Sequence, residues 1–350
     1  MNKGVLYALG AAALFGASTP FSKLLVGQVA PVTLAGLLYL GSGLGLLVWF
    51  LVRLVATRGE EGAFALVKKA DVPWLTGAIL FGGIAGPVLL MIGLIGTPAS
   101  SASLLLNMEG VLTSLLAWFV FKENFDKRIF VGMLMIVAGG VLLGWERRPE
   151  LGVPWSAVAI VGACICWAID NNLTRKVSAS DAVQIAGIKG LAAGAVNLAI
   201  TYALGFPMPH LSIALTAGIV GFCGYGLSLV LFVLALRHLG TARTGAYFSI
   251  APFVGAAISL AMLGEAPATG FWLAGVLMGA GILLHLIEHH RHAHQHLPLS
   301  HAHKHTHDDH HQHQHDFPWD KRESHAHDHH HAPMEHNHPH VPDIHHRHQH

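Results

Sequence analysis

Two sets of residues in this chain have the types and spacing to do chemistry. The first is a run of histidines. From His285 onward, 26 of the 28 histidines fall within the last 66 residues, interleaved with Asp, Gln and Pro, and the longest unbroken run is only His329 to His331. His301-x-His303-x-His305-x-His307, His310-His311-x-His313-x-His315, and His325, His327, His329, His330 and His331 gather neutral imidazoles. That donor set favours nickel, zinc, copper or cobalt over calcium or magnesium. An unperturbed imidazole titrates near pH ~6.5, so a charge response to mild acidification is the other reading.

The second set is polar residues inside apolar stretches: Glu109, Asn107, Lys189, Asp170 and Lys23. An ionised carboxylate at the centre of a bilayer costs about 2.5–3.5 kcal/mol on insertion scales, so Glu109, near the middle of its stretch, must face protein or water. That suits a group which gains and loses a proton in a cycle. A permanently protonated Glu109 bonded between helices is the alternative, with Asn107 serving similarly. Lys189 lies too deep to reach either interface by simple counting and is the natural counter-ion for Glu109 or Asp170. Lys23 and Asp170 stand near opposite membrane faces, where gate or substrate contacts compete with plain interfacial anchoring.

Composition defines the elements that must hold these groups. Charged residues are 12% of the 350, against about 25% in soluble proteins; apolar residues reach 53%, and mean hydropathy is +0.50 despite the polar end. The fold class expected is an all-α polytopic membrane protein with a disordered tail, since the tail lacks the apolar residues to build a core. A spanning helix needs about 20 apolar residues. Ten stretches fit: Gly4 to Leu25, Pro31 to Leu54, Pro73 to Ile95, Ser101 to Phe121, Ile129 to Trp145, Val153 to Leu173, Val183 to Leu204, Leu211 to Leu236, Thr244 to Leu263 and Thr269 to Ile287. The first resembles a secretory signal, with Lys3 ahead of small residues, but the apolar run continues and it reads as an uncleaved span. Cys164, Cys166 and Cys223 sit in apolar runs and give no disulfide framework; residues two apart on a helix diverge, so Cys164-x-Cys166 is a poor metal pair.

Lys and Arg are retained on the cytoplasmic side. With the N-terminus inside, that side holds Lys3, Arg53, Arg58, Lys68, Lys69, Lys122, Lys127, Arg128, Arg175, Lys176, Arg237 and Arg243, and the opposite side holds Lys23, Arg147 and Arg148. Both termini are therefore expected in the cytoplasm, with the chain in the cytoplasmic membrane.

The chain also repeats itself. Residues 105–123, LLNMEGVLTSLLAWFVFKE, align with the stretch through Phe248 that ends at Glu265, YFSIAPFVGAAISLAMLGE, a repeat of about 142 residues. Five spans per half is odd, so the second copy enters the membrane inverted, an architecture of transporters that open alternately to each side. The expected organisation is residues 1–145 and 146–287 as two inverted five-helix repeats, and 288–350 as the tail.

These residues resemble the EamA family of the drug/metabolite transporter superfamily over roughly Gly4 to Ile287. Phe15-Gly16-Ala17-Ser18-Thr19-Pro20-Phe21-Ser22-Lys23 is similar to the end of the family's first helix, and Trp167-Ala168-Ile169-Asp170-Asn171-Asn172-Leu173-Thr174-Arg175 to its second copy. Lys122-Glu123 and Gly264-Glu265 resemble the acidic end of the fourth helix; Gly139-Gly140 and Gly281 fit the helix after it. Departures are Tyr39 where an Arg is usual, and Glu109-Gly110 where the second half keeps Pro252. The resemblance implies ten helices, a central cavity and transport of small organic molecules, commonly amino acids, drugs or metabolites.

Within the spans, Gly41-x-x-x-Gly45, Gly82-x-x-x-Gly86, Gly190-x-x-x-Gly194 and Gly275-x-x-x-Gly279 fit packing seams. Pro20, Pro87 and Pro252 are candidate helix breaks whose freed carbonyls could face a cavity. No phosphate loop, nucleophile–base pair or intramembrane His-Glu motif points to an enzyme, and no nucleic-acid partner is expected. The main reading is a secondary exporter of a small organic solute working in the lipid bilayer, with no required cofactor and a tail able to take Ni2+, Zn2+, Co2+ or Cu2+. A divalent-metal transporter and a membrane-anchored metal buffer are the rivals.

Overall fold

The computed structural model describes residues 3–56, 67–121, 127–145, 155–177, 180–239, 241–286, 290–296, 299–305, 325–331 and 334–340. Glu123 and five of the candidate ligands, His307, His310, His311, His313 and His315, lie outside them. Contacts divide the chain into Met1–Glu288 and His289–His350.

Every element described in the first unit is helical: α1 (Lys3–Val26), α2 (Pro31–Ala56), α3 (Val72–Ala78), α4 (Gly86–Gly96), α5 (Ala99–Leu105), α6 (Met108–Phe121), α7 (Lys127–Trp145), α8 (Trp155–Val177), α9 (Ala182–Ala203), α10 (Leu211–Gly221), α11 (Ser228–Leu239), α12 (Thr241–Phe248), α13 (Ala251–Leu263) and α14 (Thr269–Leu286), besides a 3₁₀ turn at Lys69–Asp71. Six rods among the described residues are long and apolar enough to cross a membrane: Lys3–Val26, Pro31–Ala56, Lys69–Gly96, Trp155–Thr174, Ala182–Ala203 and Leu211–Ala235; shorter apolar helices run Phe130–Gly144, Ala251–Leu263 and Thr269–Leu284. Helices suit this environment because each satisfies its own backbone where water is absent. Val48, Val52 and Val55 on α2 and Trp272, Val276 and Leu283 on α14 are exposed although apolar, as expected of surfaces that meet lipid. The chain is a multi-pass membrane protein.

Two rods contain a π-helical turn. Ile79–Ala85 joins α3 to α4, and Phe222–Leu227 joins α10 to α11. Two others are broken. Leu106 and Asn107 separate α5 from α6, and Ser249 and Ile250 separate α12 from α13. Pro252 opens α13 after the second break, and Pro87 opens α4 just past the first π turn. Pro20 behaves otherwise: α1 runs through it without interruption, since a membrane helix tolerates the missing bond where neighbouring helices pack around it.

The helices pack as α2 along α9, α7 along α14, α8 against α4 and α6, and α1 against α11 and α13. The α2–α9 crossing is close because Gly43 meets the backbone of Gly190 and Leu191 and Gly194 meets Leu40; a Cβ at any of the three glycines would collide with main chain. Gly275 and Gly279 make only ordinary contacts with Leu104 and Phe253, and α14 approaches α7 instead through Gly281, whose added Cβ would lie 2.5 Å from the Gly132 carbonyl. Leu34, Leu38, Leu90, Met91, Leu94, Leu104 and Ile160 form the dry centre. Gly264 ends α13 with φ 60°, the left-handed turn glycine adopts freely.

In the second unit the described residues lie in four short strands. β1 (His290–His296) pairs antiparallel with β4 (Met334–His340), and β2 (Leu299–His305) with β3 (His325–His331), setting His301, His303 and His305 opposite His329, His327 and His325. The His-x-His alternation has the two-residue period of a strand, and ladder bonds come from the backbone.

Candidate functional site

The first π turn is the platform of the site. A π turn widens the helix and leaves carbonyls without their usual i+4 donors, and in hydrocarbon those carbonyls need side chains. The Tyr39 hydroxyl donates to the Gly82 carbonyl at 2.7 Å, Trp167 Nε1 donates to the same oxygen at 3.0 Å, and Asn197 Nδ2 donates to the Gly83 carbonyl at 3.2 Å. Three helices, α2, α8 and α9, thus converge on two glycines.

Asp170 lies three residues after Trp167 on α8, hence on the same face. Its carboxylate rests against Gly82, where an added Cβ would overlap it. Lys189 Nζ donates to Asp170 Oδ1 at 2.5 Å and to Thr174 Oγ1 at 3.2 Å, and Thr174 Oγ1 donates to Asp170 Oδ1 at 2.8 Å. Only 10% of the Lys189 side chain and 11% of the Asp170 side chain are exposed. Of the two partners considered for Lys189, Asp170 is the one it meets. Such a pair gains attraction but pays desolvation, and removing one partner costs about 3–5 kcal/mol.

Glu109 sits one residue further round. The break at Leu106–Asn107 restarts the helix as α6, placing Glu109 in its first turn, where the helix dipole favours an anion by ~0.3–1 kcal/mol. Asn171 Nδ2 donates to Glu109 Oε1 at 2.8 Å and to Thr113 Oγ1 at 3.5 Å. Glu109 is half-buried, and no Lys or Arg among the described residues is paired with it. Asn107 is buried and serves the break itself, donating to the Leu104 carbonyl at 2.9 Å and approaching Met278 Sδ at 3.7 Å.

Aromatic rings from several helices cluster beside Tyr39 and Trp167. Phe15 stands 6.3 Å from Trp167, 6.0 Å from Tyr225 and 5.5 Å from Phe248 by ring centroids, Tyr39 is 5.4 Å from Tyr225, and Phe232 is 4.8 Å from Phe248. None of these rings was a candidate site residue; the Trp167, Asp170, Asn171, Thr174 spacing, with its helical period, signals that one face of α8 is polar.

Lys23 and Glu265 lie away from this centre. Lys23 Nζ donates to the carbonyls of Leu94, Ile95 (3.3 Å) and Thr97 (2.9 Å), capping the end of α4. Glu265 accepts from Ala99 N at 2.7 Å, Ser100 N at 3.0 Å and Ser100 Oγ at 2.5 Å, capping the start of α5. A cation at a helix C-terminus and a carboxylate at an N-terminus are both the favourable sign. Together they clamp the α4–α5 turn. Cys164 and Cys166 are free and buried, and among the described residues no three His, Cys, Asp or Glu side chains converge as a metal site.

Comparison with known proteins fits this geometry. An uncharacterized transporter of Methanothermobacter thermautotrophicus is 27% identical over 80% of this chain and 85% of its own length. The uncharacterized inner membrane transporter YedA of Escherichia coli K12 is 24% identical over 73% and 82%. A crystal structure sharing 22% identity superposes with a TM-score of 0.60 over 81% of this chain and 95% of that one, which speaks to fold alone. The EamA-like transporter family matches residues 2–145 and 154–287, nearly the whole membrane unit, and the chain belongs to that family.

Proposed function

We propose that the chain is a secondary active transporter of a small organic solute, built from ten membrane-crossing segments in two inverted halves that rock about a central site. What supports this reading is the way its contacts exchange with one another. Exchanging the halves turns α1 on α11 and α13 into α8 on α4 and α6, and leaves α2–α9 and α7–α14 paired with themselves. Gly82 of the first π turn packs against Asp170, and Gly224 of the second, 142 residues later, packs against Ser18. The two helix breaks, Leu106–Asn107 and Ser249–Ile250, stand 143 residues apart, within one residue of that offset. Such correspondence gives two arrangements of similar energy, which is what alternating access requires.

Glu109 is the coupling group in this reading, since a carboxyl that can load a proton links solute movement to a proton gradient. Both termini face the cytoplasm of a cell membrane, with export the working direction. The tail is an accessory that binds divalent transition metals through its histidines. Reconstituted vesicles with an imposed pH gradient test the proposal: saturable solute flux that reverses with the gradient supports it, and flux indifferent to the gradient counts against the coupling.

A further inference from the structure

We infer, on the transporter reading above, that the transported solute carries a positive charge on an aromatic or apolar body, and that solute and proton take turns at Glu109. The ionisable groups of the membrane interior are unequal. Asp170 is already matched by Lys189 at 2.5 Å, so that pair presents no net charge. Among the described residues the help Glu109 receives is neutral, from the Asn171 amide and the start of α6. Its electrostatic neighbours are Asp170 and Cys164 on α8 and Tyr39 on α2, and α7 brings no ionisable side chain between Ile129 and Gly144. One negative charge therefore awaits a cation, which a proton or a solute can supply, but not both together.

The walls fit the same class of solute. Phe15, Tyr39, Tyr225 and Phe248 come from four separate segments, form one cluster of rings, and are each only half-buried. Aromatic faces attract ammonium and guanidinium groups and apolar bodies alike. Trp167 and Asn171 are four residues apart on α8, so the aromatic wall and the Glu109 contact lie along one helix face. An anion would meet Glu109 uncompensated. A zwitterion would bring a carboxylate, and the Lys189 ammonium is already engaged by Asp170.

The test uses purified full-length protein, with benzyltrimethylammonium, a permanent cation, as probe against zwitterionic phenylalanine and anionic phenylacetate. Wild type should bind benzyltrimethylammonium saturably, release close to one proton per cation bound when Glu109 is protonated beforehand, and lose affinity toward tenfold per pH unit on further acidification. Glu109→Gln should lose at least tenfold in affinity and release no proton, while Glu109→Asp keeps proton release; the wild-type measurements decide the matter even if both variants fold poorly. Benzyltrimethylammonium that neither binds nor competes, in vesicles that do transport phenylalanine or phenylacetate, overturns the cation assignment and leaves the transporter reading standing. Proton-linked cation binding with no flux of any solute retains the site and overturns the transporter reading.

Discussion

The Asp170 carboxylate meets the Lys189 ammonium across consecutive helices while resting on the bare backbone of Gly82. One contact neutralises the charge, and the other ties it to the π turn that Tyr39 and Trp167 hold open. Disturbing the pair therefore disturbs the platform on which the site is built.

Asp170→Asn should leave Lys189 buried without its partner and lower stability by about 3–5 kcal/mol. The double variant Asp170→Asn with Lys189→Met should recover part of that loss. Thermal unfolding of wild type, Asp170→Asn, Lys189→Met and the double variant in detergent checks it; a double variant whose loss equals the sum of the two single losses means the two residues act independently.

Gly82→Ala inserts a methyl group into the Asp170 carboxylate, and Gly224→Ala one into the Ser18 side chain. Overpacking of this kind costs about 1–3 kcal/mol. If the two π turns are counterparts, each variant should slow flux while leaving membrane insertion unchanged, which flux assays beside insertion blots measure.

Glu265→Ala removes three hydrogen bonds from the start of α5. Loss of a helix cap costs about 0.5–2 kcal/mol, and the α4–α5 turn should loosen while the centre stays intact. A Cys placed at Thr97 should then react faster with an impermeant thiol reagent than in the otherwise unchanged protein.

Much of this was open to a reader of the sequence, and the limits have physical causes. Glu109 and Lys189 declare themselves because charge is costly in an apolar span. Which of two carboxylates Lys189 meets depends on how α8 and α9 are set against each other, and no spacing within either helix contains that. The π turns stayed hidden for a similar reason: the donors that make them tolerable, Tyr39, Trp167 and Asn197, come from other helices. Glu265 is visible as the acid ending a repeat, but the helix start it caps lies 165–166 residues earlier. Pro20 shows the opposite error, a residue type that breaks helices held in an intact one.

Truncation after Glu288 should leave the membrane unit folded and transporting, since Met1–Glu288 is a compact unit with its own internal contacts. Nickel or zinc binding should fall to near zero. Neutral imidazole is the ligand, so binding by the full chain should weaken as pH falls through about 6.5. Isothermal titration at pH 7.5 and 5.5 measures both effects; unchanged metal binding after truncation rejects the tail assignment.

The most direct measurement of the central claim is solute flux in proteoliposomes under an imposed pH gradient, comparing wild type with Glu109→Gln at equal insertion. Wild type should show saturable flux that follows the gradient, and the variant should lose about tenfold or more in gradient-driven flux together with its pH dependence. A variant that keeps wild-type flux and wild-type pH dependence would contradict the account, leaving Glu109 a structural hydrogen-bond partner of Asn171.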